Sequence, residues 1–386
     1  MPIDFERLKT SPRILIEANL KPVAGTRIQP TGFPDLGPAV YDAPDGTPTL
    51  LVESAQSMAN RLEAVCWDEA ADDLASELIS LPYVKVKLAG LGDGSDTTCS
   101  LLEFHRLNSP YIMSAVTDKD MTLRLKKPGT TEAEEKKFPA RTPFADILKL
   151  ELGMVAVAAS GAKKVAKKKE DDAGTDEAGG GKEPDDVAGV VNLRKLAAVC
   201  FKYDPNSLVH GVFLEKIAGR LRHPRALSAF IEASGVGRAD SGGVKFDRVL
   251  PKPKVAGVDA KGGYGNVPFH RTEFTAKIIT AFFSLDLAQI RGYGLGDDAT
   301  QLLISLSLWK LRAFLDSTMR LRTACELELI DGQKSILAKR PEGFLLPSAK
   351  DLSDSLDQFI KKCKPLFANP PITELTWNNP KGKEKE

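Results

Sequence analysis

The stretch 49–68, TLLVESAQSMANRLEAVCWD, constrains the fold most, because it passes from a strand-like apolar run to a helical period without a break. Leu50, Leu51 and Val52 form the run. Ala55, Met58, Ala59, Leu62, Val65 and Cys66 then recur at spacings that share one helix face. Gln56, Asn60, Glu63 and Trp67 fall on the opposite side, with Ser57 and Arg61 beside them. Ser54 stands where a hydroxyl caps the first turn by accepting a free backbone N–H. Two readings follow: a surface helix burying one stripe, or a helix showing amide, hydroxyl and guanidinium groups to a polar polymer. The helix is expected to resume at Glu69 and run through Ile79, with Pro82 ending it.

The chain has 386 residues, of which 42% are hydrophobic, enough for one large domain with insertions or for two domains. Lys and Arg number 53 against 52 Asp and Glu, so a polyanion site must come from local clusters of charge. Cys66, Cys99, Cys200, Cys325 and Cys363 form no CxxC pair and share no spacing with the four histidines. Neither a zinc site nor a disulfide framework is expected, and no cofactor. No apolar run approaches a membrane span, so the expectation is a soluble, cytoplasmic protein.

Residues 13–23 alternate Ile14, Ile16 and Ala18 with Leu15, Glu17 and Asn19, a strand with Arg13 and Lys21 near its ends. The Pro- and Gly-rich segment that follows reads as a loop, in which Arg27 and Gln29 can reach a phosphate and Phe33 or Tyr41 a base. Residues 83–88, YVKVKL, read as a strand, then a glycine-rich turn without the GK[ST] of a Walker loop. SLLEFHRL reads as a short helix leading to a polar cluster of His105, Arg106 and Asn108. Residues 143–160 read as a buried helix. Residues 161–188 are small and charged and lack large apolar groups, so they are expected to be a disordered loop.

Residues 207–217 contain a strand, and Pro224 is expected to open a helix closed near Gly235. From 236 to 271, Arg238, Lys245, Arg248, Lys252, Lys254, Lys261 and Arg271 outnumber Asp240, Asp247 and Asp259, with Phe246, Tyr264 and Phe269 interleaved. Cations for phosphates and rings for base faces suit single-stranded nucleic acid. Residues 273–290 read as one long strand. Arg291, Gly292, Tyr293, Gly294 and Gly296 then form a loop whose backbone N–H groups can converge on an anion, although Asp297 and Asp298 oppose a phosphate there. Asp298 to Gln301 resembles a capping box for a helix to about Phe314, and residues 323–330 are a last strand. Strand, helix and strand make half of a ferredoxin-like unit. The first strand, the opening helix and a strand at 208–214 are expected to supply the other half.

Three blocks, VESAQSMANRLEAVCWDEA, PRILIEANLKPVAGTRIQPTGFPDLG and HRLNSPYI, resemble the backbone subunit of type I-G (formerly I-U) CRISPR effector complexes. That family is a branch of the RAMP superfamily. The resemblance implies an α+β fold, an RRM/ferredoxin-like palm with inserted fingers and thumb subdomains. Its parts are expected at 1–81 (palm), 82–190 (fingers), 191–235 (palm), 236–272 (thumb), 273–335 (palm with the glycine-rich loop) and 336–386 (a C-terminal extension with a disordered tail). It implies CRISPR RNA, target DNA in the guide–target duplex, other copies of the chain, other Cascade subunits and a recruited helicase-nuclease as partners, and no membrane. The expected RNA contacts are Arg13, Lys21, Arg27, Gln56, Asn60, Arg61, Arg106, Arg291, Gly292, Tyr293 and Gly294, with Lys245, Phe246, Arg248 and Lys254 on the thumb.

No nucleophile elbow, HExxH or kinase signature is present, and no catalytic residue or metal ligand is expected. The alternative is a metal-dependent ribonuclease of the same superfamily. Asp35, Asp45, Asp96 and Asp297 are acids that could meet around Mg²⁺, but no spacing brings them together.

Overall fold

A computed structural model describes residues 2–33, 35–89, 91, 96–126, 133–154, 192–215, 217, 221–245 and 267–378. The fold is α+β, in two compact units: residues 1–79, 226–292 and 296–362, and residues 80–225, 293–295 and 363–386.

The first unit carries strands β1 (Arg13–Pro22), β2 (Arg27–Ile28), β3 (Val40–Asp42), β4 (Pro48–Glu53), β5 (Leu227–Ser234), β6 (Gly237–Lys245), β7 (Val267–Thr275), β8 (Ile278–Asp286), β9 (Arg320–Arg322), β10 (Cys325–Leu329) and β11 (Ile336–Arg340). Its helices are α1 (Phe5–Thr10), α2 (Ala55–Ala64), α3 (Leu287–Gly292), α4 (Asp297–Asp316) and α5 (Ala349–Cys363). An antiparallel sheet runs in the order β9-β10-β1-β8-β5-β4-β3, and β11 also pairs with β1. A second sheet, β6-β7-β2, is a long hairpin with a short third strand.

The alternation in β1 is what builds the main sheet. Ile14, Ile16, Ala18 and Leu20 are all buried, while Leu15, Glu17 and Asn19 on the other face are half-buried. Across the register Ile16 faces Phe283, and Ala18 faces Ala281, which in turn faces Ile231. Helices α2 and α4 lie on the buried side, where the rings of Phe283 and Phe314 meet edge to face. Each such aliphatic side chain stabilises the fold by about 1.5–3 kcal/mol. The opposite face carries Phe230 stacked on Phe282, its direct cross-strand partner, at a centroid distance of 5.0 Å.

Several expectations are corrected here. Helix α2 ends at Ala64 and does not resume: Trp67–Asp68 pairs with Asp73–Leu74, and the Asp68 carboxylate accepts the N–H groups of Ala70 and Ala71 to form the turn. Glu63 and Trp67, placed on the polar side by periodicity, are buried. Residues 227–234 are strand β5, not a helix, because Leu227, Ala229, Ile231 and Ala233 are buried and alternate with half-buried neighbours, and that period matches the sheet. This strand, rather than residues 208–214, lies between β8 and β4. The long strand expected over 273–290 is divided: a turn at Ala276 and Lys277 separates β7 from β8, and α3 follows. Helix α4 begins at Asp297 after Gly296, and Asp298 pairs with Lys362 at 3.1 Å instead of capping.

In the second unit Tyr83–Ala89 is a strand, flanked by Thr97–Cys99 antiparallel and by Ile372–Asn378 parallel. Residues 100–105 are turns rather than a helix, held by the Glu103 carboxylate, which accepts hydroxyls from Thr98 and Ser109. The helix expected from 143 is present as Phe144–Glu151. Glu151 is buried and accepts from Lys202 at 2.7 Å and from the Tyr203 hydroxyl, which fastens helix Leu193–Tyr203 to it. The insert 161–188 lies outside the described residues.

Candidate nucleic-acid interface

Arg61 leaves α2 toward the interior of the first unit. Its Nε donates to the Glu53 carboxylate at 2.7 Å, and its terminal nitrogens donate to the carbonyls of Arg320 and Leu321. Glu53 is fully buried and also receives the Ser57 hydroxyl and the Arg322 guanidinium. Arg322 in turn donates to the carbonyls of Gln29 and Val52 at 2.9 and 3.1 Å. Burial lowers the pKa of both guanidiniums. The cluster ties β4, α2 and the β9–β10 turn together, and Arg61 is committed to it.

Three more expected contacts are engaged by the fold. Arg291 donates to the carbonyls of Leu8 and Ser11 at 3.1 and 2.8 Å, within the first unit. Tyr293 is buried in the second unit, its hydroxyl on the Leu208 carbonyl at 3.1 Å and its ring against His223. Arg106 is likewise buried in the second unit and donates to the Gly211 carbonyl at 3.1 Å. Desolvating a guanidinium is costly, so each is satisfied by carbonyl oxygens that would otherwise lack a partner. Gly292 and Gly294 are exposed, and Gly294 takes the positive φ of 67° that favours glycine.

The remaining cations lie at the surface. Arg13 faces Asp286 at 3.5 Å, and Lys21 faces Glu328 at 3.1 Å. Exposed pairs of this kind contribute little and exchange readily for another anion. Gln56 is exposed and Asn60 half-buried on the outer side of α2, and neither amide meets a hydrogen-bond partner among the described residues. Tyr41 is engaged instead, its hydroxyl donating to Glu232.

The hairpin brings together a group that spacing alone did not single out. Glu273 is buried on β7, and its carboxylate holds Arg27 of β2 at 3.1 Å and Arg271 at 3.6 Å. Two cations on one carboxylate leave a surplus positive charge, and Arg27 stays exposed. Arg271 lies over the ring of Phe269, its guanidinium carbon 5.4 Å from the centroid. Phe269 is exposed and lies across from Gly243, where a Cβ would come within 3.0 Å of the ring. Phe269, Arg271 and Glu273 share one face of the strand because they alternate. That alternation in FHRTEF was the available signal. Arg238, Asp240 and His270 occupy the other face, where the hydrogen bond and charge of Arg238, with His270, hold the Asp240 carboxyl below its usual range. Phe246, Arg248 and Lys254 lie outside the described residues, as does the side chain of Lys245.

Among the described residues no three His, Cys, Asp or Glu side chains are grouped to hold a metal ion, and no helix is long and apolar enough to cross a membrane.

The family model described as CRISPR-associated protein GSU0053 matches residues 14–238, more than half of the chain. This chain belongs to that CRISPR-associated family. The matched region includes β1, α2, β5 and the start of the hairpin. A comparison with curated proteins finds no match. A solved chain titled "CRISPR RNA-guided surveillance complex, pre-nicking" is similar at 12% identity and a TM-score of 0.34, over 91% of this chain and 89% of that one. A likeness at that score adds nothing to the family assignment.

Proposed function

We propose that this member of the CRISPR-associated family coats the spacer part of a CRISPR RNA, as the non-catalytic backbone subunit of a type I-G Cascade complex. The observation that carries the proposal is the Arg27–Glu273–Arg271 cluster with Phe269 beside it. Its surplus charge suits a phosphate and its exposed ring suits a base face, without any group that reads base edges. The chemistry is binding, with no bond made or broken. Target recognition then falls to base pairing with the guide, and DNA cutting to a recruited helicase-nuclease.

An RRM-like palm within the RAMP superfamily is supported by element order. Strand β1, helix α2, strands β5 and β8, helix α4 and strand β10 follow one another, with the four strands adjacent in the order β10-β1-β8-β5. The hairpin β6–β7 is the thumb in this reading, and the fingers fall within 82–190. Gln56, Asn60, Arg13 and Lys21 remain RNA contacts by exposure, and the N–H groups of Gly292 and Gly294 by position. Arg61, Arg106, Arg291 and Tyr293 act by holding the backbone on which those contacts stand.

The test is filter binding of a guide-length RNA over a salt series, comparing the unaltered protein with an Arg27→Ala, Arg271→Ala variant. The proposal expects weaker binding and a shallower slope of log affinity against log salt. An unchanged slope would remove this cluster as the phosphate contact.

A further inference from the structure

Helix α2 turns outward a face that carries no free charge. Its charged side chains are Arg61 and Glu63. Glu63 is buried, and Arg61 is committed to Glu53 and to the carbonyls of Arg320 and Leu321. The Ser57 hydroxyl also goes to Glu53. Gln56, Asn60 and Ala64 remain outward, at spacings of four that share one helix face. A helix face that meets only water is typically rich in charged residues. Two amides and a methyl group instead suit close approach by a polar, uncharged surface.

The helix starts beside the segment that carries Arg27. Thr31 donates its N–H to the Val52 carbonyl at 3.0 Å, and Arg322 bridges the carbonyls of Gln29 and Val52. Val52 lies just before the Ser54 cap of α2. From Arg27 to Thr31 the chain spans at most about 14 Å. A strand of nucleic acid held at the Arg27–Glu273–Arg271 cluster therefore reaches the two amides within a few nucleotides.

The amides indicate which group they meet. Each offers an acceptor oxygen and a pair of N–H donors. A phosphate only accepts, so it would use part of that capacity and would favour a cation. A ribose 2′-hydroxyl both donates and accepts, and it is the group that separates RNA from DNA. Side chains at i and i+4 stand about 6 Å apart on a helix, close to the separation of sugars on neighbouring nucleotides. We infer that Gln56 and Asn60 bond the 2′-hydroxyls of consecutive nucleotides, so that the outer face of α2 selects a ribose strand over a deoxyribose strand. The contact presupposes the RNA-coating role and adds sugar selectivity, which phosphate contacts and a stacked ring do not provide.

The experiment titrates full-length protein against fluorescein-labelled strands of one sequence and guide length, made as RNA, 2′-fluoro RNA and DNA, and reads anisotropy. Gln56→Ala, Asn60→Ala and the double variant are compared with the unaltered chain. Alanine favours a helix and neither position belongs to the core, so circular dichroism should be unchanged. The unaltered protein should prefer RNA to DNA. It should bind 2′-fluoro RNA like DNA, because that strand keeps the sugar shape of RNA and lacks the donor. Each single substitution should weaken RNA binding about three- to tenfold, with DNA binding and the salt slope kept. The double variant should treat the three strands alike. Equal losses on RNA and DNA would overturn the inference in favour of a backbone contact. So would full RNA affinity in the double variant, which would leave this face to a protein partner, or 2′-fluoro RNA bound as tightly as RNA. In each of those cases the coating role is judged separately, by the loss that the Arg27→Ala, Arg271→Ala variant shows on every strand. Failure of the unaltered protein to bind any strand would remove both readings.

Discussion

The Nε of Arg61 lies 2.7 Å from a carboxylate oxygen of Glu53, a side chain with no solvent exposure. The pair joins the last turn of α2 to the end of β4, and Arg322 completes it from the edge of the sheet. Removing one partner of a buried ion pair leaves the other charge without compensation. Arg61→Ala is therefore expected to destabilise the first unit by about 3–5 kcal/mol, reduced by whatever solvent reaches the half-buried guanidinium. Urea unfolding followed by Trp fluorescence measures this. The salt slope of RNA binding should not change where the variant is folded, because this guanidinium faces protein carbonyls.

Tyr41 gives a pH test. Burial, then the hydrogen bond to Glu232 and its charge, push the phenol up to about 12 from an ordinary value near 10. The folded state thus holds the proton more tightly than the unfolded chain does. The contribution is fully present below pH 10, and it is lost as pH rises from 10 toward 12. Denaturation midpoints should fall across that window, and Tyr41→Phe should flatten the part of the fall that comes from this residue. An identical profile in Tyr41→Phe would show that the Glu232 contact does not couple to folding.

Much of the first unit is legible in the chain itself. The strand β1, the cap at Ser54 and the buried stripe of α2 follow from local pattern, and the structure has each of them. The misreading of 227–234 has a specific cause. Pro224 and Gly235 punctuate a helix and a strand equally well, and only pairing with β8 decides between them. The candidate site was less legible, because a sequence shows where arginines stand but not which carboxylate they turn toward. Arg61 and Arg291 read as free cations until Glu53 and the α1 carbonyls are seen beside them. Glu273 lies far from Arg27 in sequence and meets it only through the short pairing of β2 with β7.

Phe269 and Arg271 should separate stacking from charge. Phe269→Ala is expected to cost about 1–3 kcal/mol of affinity for single-stranded RNA, with the salt slope kept. Phe269→Trp should retain most of the affinity, because any aromatic face supports stacking. Arg271→Ala should weaken binding and lower the slope by about one counterion. Equal losses in Phe269→Ala and Phe269→Trp would argue that the ring packs the hairpin and does not meet a base.

Gly242 offers a test of the hairpin as the support. A Cβ there would come within 2.4 Å of the Phe269 carbonyl oxygen, a backbone atom that cannot swing aside. At Gly243 the near neighbour is the Phe269 ring, at 3.0 Å, which can rotate. Gly242→Ala should therefore raise amide exchange along β6 and β7 far more than Gly243→Ala does, while exchange in β1 and β8 stays as it was. Matching exchange in the two variants would contradict the register of this hairpin.

The central claim is that the chain coats a guide RNA. The most direct measurement is the ultraviolet absorbance ratio of the assembly purified with its CRISPR array, followed by sizing of the extracted RNA and nuclease footprinting. The account predicts nucleic-acid-rich particles that hold one guide length, protected in regular steps. Protein that purifies as an RNA-free monomer under the same conditions would contradict it.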